Sequence, residues 1–392
     1  MRTFIITILT LLVSSSTFAQ NPIDAILREI ERNNTALQAL RHESEAQKLD
    51  NKTGIFLANP EVELGYQWGH PKDIGHRTEL SVSQSFDIPT ITGMKSRLAK
   101  GKNTLIDYRY RSGRLTILLE AKQCCIDLIY NNVQRNEYAR RLQHAELIAS
   151  AYKTRMDKGD ANIIEYNKAL LSLTNIRNRM TLLETENQAL LTQLRQLNGG
   201  HPVILETSEY FDQNLPLDFD TWYGQAESKS PLMSEVRQEI EISKRQVAIN
   251  KALGLPTFSA GYASEKVAQE RFQGLSVSVS IPLWENTNRV RQAKAAVKAA
   301  QSKEEDAQRM FQTRLRTLYE QAAGLKNVVD NYSRILSEAN SEHLLKKALD
   351  AGEISLLDYL LELGLYYDTV DRAMEAERNF QKTLAELLAT DL

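Results

Sequence analysis

Thiols are almost absent from this chain: Cys124 and Cys125, adjacent to each other, are the only cysteines in 392 residues. Neighbours on a helix point about 100 degrees apart and do not converge on one ion, and two thiols make no disulfide framework. They read as small packing residues. The 9 prolines and 17 glycines are few and gather at a handful of places, which leaves room for long unbroken helices. After the first twenty residues no run of about 18 apolar residues occurs, so no helix of a mature chain would cross a bilayer. There is no basic excess either. With 48 Lys and Arg against 50 Asp and Glu, the net charge of -2 argues against a nucleic-acid partner.

Chemical machinery is missing as well. The sequence holds no phosphate-cradling GxxxxGK[ST] and no dinucleotide glycine pattern, so it carries no evident energy source. Its 6 histidines, His42, His70, His76, His144, His201 and His343, are scattered without metal spacing. His70 and His76 share one polar loop and read as solvated. Ser276, Ser278 and Ser280 have no neighbouring histidine and read as wall, not nucleophiles. No acid-base pair can be nominated with a geometry behind it, so neither an enzyme nor a cofactor is expected.

What is present begins with a targeting segment. Arg2 supplies the positive end, Phe4 to Val13 the apolar run and Thr17-Phe18-Ala19 a small-x-small cleavage site, so residues 1–19 read as a signal peptide. Four stretches then alternate with period two, as strands do. In residues 61–68 Val62, Leu64, Tyr66 and Trp68 share one side. In residues 78–87 Leu80, Val82 and Phe86 do so, with Gln84 breaking the row. Phe258 and Tyr262 alternate in residues 257–263, and Leu275, Val277, Val279, Ile281 and Leu283 in residues 275–284. The opposite rows are polar and include those three serines.

Everything else is helical by pattern. The spacing predicts helices over residues 22–58, 92–158 and 160–198, then 221–253, 287–351 and 353 to the end, the second being a rod of roughly 100 Å. Asp160 reads as a cap after the break at Gly159. The elements also repeat. Pro60 and Pro256 are 196 residues apart, as are Tyr66 and Tyr262; Gly159 and Gly352 are 193 apart, as are Tyr166 and Tyr359. A first repeat over residues 20–200, a connector over 201–220 and a second repeat over 221–392 follow. Each repeat reads as helix, hairpin, long helix, glycine turn, helix.

Four strands pose an energetic question. If their apolar faces meet lipid, two open edges of about five groups each would cost tens of kcal/mol. The smallest barrels need about eight strands, so a membrane reading demands an oligomer. The other reading is a soluble periplasmic protein whose hairpins pack on its own helices, as an adaptor or a structural coiled-coil protein.

The ordered combination resembles the TolC-type outer-membrane efflux family, including its heavy-metal branch. The resemblance is carried by LSVSVSIPLWENTNRVRQAKAAVKAA from Leu275, its weaker partner ELSVSQSFDIP from Glu79, and the paired turns KGDANIIEYNKAL from Lys158 and AGEISLLDYLLEL from Ala351. It implies a membrane α+β fold. Three copies would share a twelve-stranded barrel in the outer membrane of a Gram-negative bacterium, above a long periplasmic tube of helices. It also implies a passive exit duct, joined by a periplasmic adaptor protein to an inner-membrane pump that supplies the energy. Carried over by position, Gly159, Asp160, Ala161, Gly352, Glu353 and Ile354 would form the tip where the adaptor docks. Asp358 would match a carboxylate of the periplasmic constriction, with Glu165 its counterpart in the first repeat. Leu361 stands where a second acidic residue is expected. The apolar rows from Val62 to Ile281 would face outer-membrane lipid.

Overall fold

The computed structural model describes residues 22–71, 74–86, 89–211, 214–267, 270–284, 286–338 and 342–392. The expected signal peptide and Asp87 lie outside them. In the first half, helices α1 (Pro22–Asn33) and α2 (Thr35–Asp50) lead to strands β1 (Glu61–Trp68) and β2 (His76–Phe86). Helix α3 (Pro89–Lys158, 70 residues) and helix α4 (Ile163–Leu197) follow. The second half repeats the order with α5 (Phe219–Lys229), α6 (Pro231–Ala252), β3 (Thr257–Val267), β4 (Glu270–Ser280), α7 (Arg289–Glu338), α8 (Glu342–Asp350) and α9 (Leu356–Leu387).

Several expected boundaries move, each for a physical reason. The first helix is two helices, broken at Asn34, and the first helix of the second repeat is broken at Ser230. These breaks are 196 residues apart, which is the repeat spacing itself. At the second, the Ser230 hydroxyl caps α6 by accepting from the Met233 N–H, and Pro231 occupies the first turn, where its missing N–H costs nothing. Strands β3 and β4 extend through what reads as a polar loop, because Ser264, Glu265, Lys266 and Val267 pair with Gln273, Phe272, Arg271 and Glu270. Backbone pairing here persists without an apolar row to announce it. At its other end β4 stops at Ser280, so Ile281, Leu283 and Trp284 lie beyond the strand; Pro282 cannot donate to a ladder.

The chain packs as two units, described separately. One takes its described residues from the stretches up to Asn34, Ala121–Gln213 and Glu342–Tyr366. Its core buries Ile26 and Ile30 of α1, Leu128 and Ile129 of α3 and Leu183 and Leu194 of α4. Both cysteines are buried, the Cys124 thiol facing the Leu190 carbonyl at 3.7 Å, and burial, with Cys124 alongside, pushes the Cys125 thiol far up, so it is an inert packing group. Within this core the Asn187 amide donates to Asn131 Oδ1 (2.9 Å) and Asn132 Oδ1 (3.3 Å). Asn132 in turn donates to the carbonyls of Leu205 (3.0 Å) and Thr207 (3.1 Å), pinning the connector to α3.

A second polar knot joins α3, α8 and α9. Tyr359, fully buried, lies 2.9 Å from His144 Nε2, and Glu342 lies 3.5 Å from His144 Nδ1. The neutral ring with its proton on Nδ1 satisfies both partners, taking the tyrosine O–H on Nε2. Burial lowers the His144 pKa, with Glu342 pulling the other way.

The other unit holds Thr35–Glu120, Asn214–Ser341 and Tyr367–Leu392. Its helical core gathers Phe219 and Ala226 of α5, Leu315, Leu318 and Ala322 of α7 and Phe380, Leu384 and Leu387 of α9. Phe219 stands at the centre, with Tyr319 5.4 Å away edge-on and the Arg316 guanidinium 4.0 Å above its ring. The same unit carries the sheet.

Two outcomes follow. Asn187→Ala strands the Asn131 and Asn132 amide oxygens inside the core, and thermal unfolding should report a loss of about 1–3 kcal/mol. For His144, a native pKa below the unfolded value of about 6.5 means that the unfolded chain binds the extra proton as pH falls through that value, so acid destabilises. The wild-type midpoint should fall between pH 7.5 and 5.5 by more than that of His144→Phe, measured by circular dichroism.

Candidate functional site

Strands β1, β2, β3 and β4 form one antiparallel sheet in that order. The middle pairing joins the two repeats: Ser81, Ser83 and Ser85 of β2 stand opposite Ala263, Gly261 and Ser259 of β3. Gly261 is there because nothing larger fits. A Cβ on it would meet the Val82 carbonyl at 2.6 Å and the Ser276 hydroxyl at 3.0 Å.

Register decides what each face presents. Val62, Val82, Tyr262 and Leu275 line up as one row across all four strands, and Phe86, Phe258 and Val279 as another. Leu64 pairs with Leu80, while Tyr66, Trp68 and Val277 complete the same apolar face. Of the residues expected in that row, Ile281 and Leu283 fall outside the strands; both are exposed beyond the end of β4. Gln84, the break in the apolar row, donates its amide to the Ala58 and Ser85 carbonyls at 2.7 and 2.9 Å and ties the approach of β1 to β2. Among the described residues nothing covers this face fully: Leu275 is 89% and Val277 77% exposed.

The opposite face is polar and acidic. It carries Ser81, Ser83, Ser85, Ser259, Ser276, Ser278 and Ser280, with Glu61, Glu63, Glu79, Glu265 and Glu270. Phe272, opposite Glu265, and Val267, opposite Glu270, are apolar residues on this face. Arg77 stands between two of the acids, 2.8 Å from Glu265 and 3.6 Å from Glu79, where the pair would otherwise repel across the strands. Among the described residues the outer edges of β1 and β4 have no partner strand.

The two glycine turns are built alike. After α3, Gly159 adopts φ +83, its N–H meets the Met156 carbonyl (3.0 Å), and the Asp160 N–H meets Arg155 (2.8 Å). Following α8, Gly352 adopts φ +73, with Gly352 to Leu349 (3.1 Å) and Glu353 to Ala348 (2.9 Å). This is the same left-handed helix stop twice. The next helices start alike too. Asn162, not Asp160, is the N-cap of α4: its side chain accepts from the Glu165 N–H, and the Glu165 carboxylate accepts from the Asn162 N–H, each at 3.0 Å. One repeat later the Ser355 hydroxyl accepts from the Asp358 N–H (3.2 Å) and donates to the Asp358 carboxylate (2.6 Å). Glu165 and Asp358, singled out as constriction residues, are therefore the equivalent first-turn carboxylates of two helices. Asp160, Gly352 and Glu353 are exposed, as is Asp358; Ala161, Ile354 and Glu165 are half-buried. The Asn-x-x-Glu pattern was readable as a capping box; the acidic segregation of the sheet was not, since it depends on register.

A sheet with one apolar and one polar face, carried on long antiparallel helices, is the architecture of outer-membrane channels of the TolC type. Solved structures agree over nearly the whole chain. The structure is similar to a membrane protein from Pseudomonas aeruginosa, with a TM-score of 0.77 at 14% identity, covering 95% of this chain and 94% of that one. It is similar to the CmeC outer membrane channel of Campylobacter jejuni (TM-score 0.75, 14% identity, 94% and 85% covered). It also matches the open state of the MtrE outer membrane channel of Neisseria gonorrhoeae (TM-score 0.77, 13% identity, 94% and 88% covered). In sequence, residues 222–390 match the Outer membrane efflux protein family. No curated protein matches the chain. The second repeat thus carries the pattern of the outer membrane efflux proteins, and the whole chain has the fold of the TolC-type channels.

One substitution tests the sheet. Gly261→Val drives a side chain into the Val82 carbonyl, and hydrogen exchange at Ser81, Ser83 and Ser85 should accelerate at least about tenfold, against no change at the α4 amides.

Proposed function

We propose that three copies of this chain close one twelve-stranded barrel in the outer membrane, and that the assembly is the passive exit duct of a tripartite efflux system. The observation that carries the reading is a four-stranded sheet, apolar on one face and acidic on the other, whose two edges stay open among the described residues. In lipid those edges must be paired, and four strands are too few to close. Successive antiparallel pairing leaves β4 running opposite to β1, so the β4 edge of one copy continues the same alternation on the β1 edge of the next. The apolar face then meets lipid and the acidic face lines the lumen. A periplasmic adaptor meets the exposed turns around Gly159, Asp160, Ala161, Gly352, Glu353 and Ile354, and an inner-membrane pump drives the flux.

Glu165 and Asp358 serve the constriction from the first turns of helices that Asn162 and Ser355 cap. Opening the tip moves those first turns, and a ring of carboxylates from symmetric copies holds cations there. The test is fractionation with unheated gel electrophoresis, followed by planar bilayers. A heat-sensitive trimer in outer membranes is expected, with cation-selective conductance whose block by divalent cations weakens in Asp358→Asn. A monomer in the periplasmic wash contradicts the duct, and unchanged block in the variant removes Asp358 from the constriction.

A further inference from the structure

Among the described strand residues the sheet sorts its charges by sign, and the cations on its apolar face have no carboxylate on that face. Among the described strand residues all five carboxylates, Glu61, Glu63, Glu79, Glu265 and Glu270, are on the polar face, where Arg77 is the accompanying cation. On the apolar face Lys266 and Arg271 stand directly opposite each other at the hairpin end of β3 and β4, and both are exposed. Like charges placed opposite across two strands are unfavourable unless something anionic sits on them. The Arg271 guanidinium donates to Ser264 Oγ at 3.1 Å, a neutral contact on the same face.

Position says what the anion belongs to. The strands enter and leave the sheet from helices at one end, so the β3–β4 turn is at the other, outer end. Lys266 lies eight residues along β3 from Phe258. At a rise of about 3.3 Å and a tilt of about 40 degrees that is about 20 Å of height, which sets the pair at the outer margin of an apolar band about 25 Å tall. Its neighbours in the same row are Thr78 and Tyr66, the latter stacked on His76 at 5.6 Å, an aromatic platform of the kind found where headgroups begin.

We propose that Lys266 and Arg271 form a binding site for the phosphate groups of lipid in the outer leaflet, one site per copy, on the outside of the barrel. This rests on the barrel reading above: it requires the apolar face to look into the membrane with the hairpin ends outward. The partner is a phosphorylated lipid. A free anion would gain the two charges but none of the apolar surface beneath them: Leu80 and Leu64 share the next row inward with Ser264 and Gln273, Tyr262 and Leu275 stand in the row after it, and Tyr66 lies in the row of the cations themselves.

The experiment is native mass spectrometry of the detergent-purified full-length protein with added diphosphoryl lipid A. The comparisons are lipid A stripped of both phosphates, inorganic phosphate as competitor, the double variant Lys266→Gln with Arg271→Gln, and the charge-keeping exchange Lys266→Arg with Arg271→Lys. The site predicts one diphosphoryl lipid A per copy on the wild-type trimer, binding weakened about tenfold or more in the double variant and retained in the exchange. It also predicts weak, variant-independent binding of the dephosphorylated lipid. Trimers of wild type and double variant that bind equally overturn the lipid site and leave the barrel standing, as does full displacement by millimolar inorganic phosphate. A wild-type protein that forms no trimer overturns the barrel reading, and this site with it.

Discussion

An unpaired backbone N–H or C=O in hydrocarbon costs several kcal/mol, and a strand edge is a row of them. That constraint gives the sheet of this chain its meaning. Within one copy the interior pairings are complete, from β1 through to β4, and the edges are left over. The Gly261 position shows how tightly the centre is held, with β2 and β4 groups both inside the space a side chain would need. The join between the two repeats is thus a built pairing, and in the proposed barrel the edges are the parts that meet another copy.

Duplication runs deeper than the strands. Helix breaks at Asn34 and Ser230, left-handed stops at Gly159 and Gly352, and caps at Asn162 and Ser355 recur at the repeat spacing. Glycine is kept at both stops, whereas the caps exchange residues, serine for asparagine with aspartate for glutamate three positions on. Chemistry that merely satisfies a helix terminus can be exchanged among small polar residues. The same exchange explains why Asp358 and Glu165 look like a pair of functional acids from sequence: they are a pair, of first-turn carboxylates. Each stands in the first turn of its helix and bonds to the residue that caps it, Asn162 or Ser355.

How much was legible in the sequence varied with the kind of signal. Strand β1 was plain from Val62 to Trp68 because alternation of large apolar and polar residues has no helical counterpart. The outer half of β3 and β4 was not, since Ser264 to Val267 and Glu270 to Gln273 carry no apolar row, and only the ladder between them makes them strand. For that reason Lys266 and Arg271 passed as loop residues. The polar links that position helices, such as Asn187 to Asn131 and His144 to Tyr359, join residues 56 and 215 positions apart and leave no local pattern.

The central claim is that β4 of one copy completes β1 of another. Within a chain these strands are three spacings of about 4.8 Å apart, about 14 Å, beyond the roughly 7 Å a disulfide spans. The direct measurement places Leu64→Cys in β1 together with a cysteine in turn at Leu275, Val277 or Val279 of β4, in a Cys124→Ala, Cys125→Ala background, and oxidises native outer membranes. At one of these registers the account predicts covalent dimers and trimers on a non-reducing gel; uncrosslinked monomers at all three would contradict it.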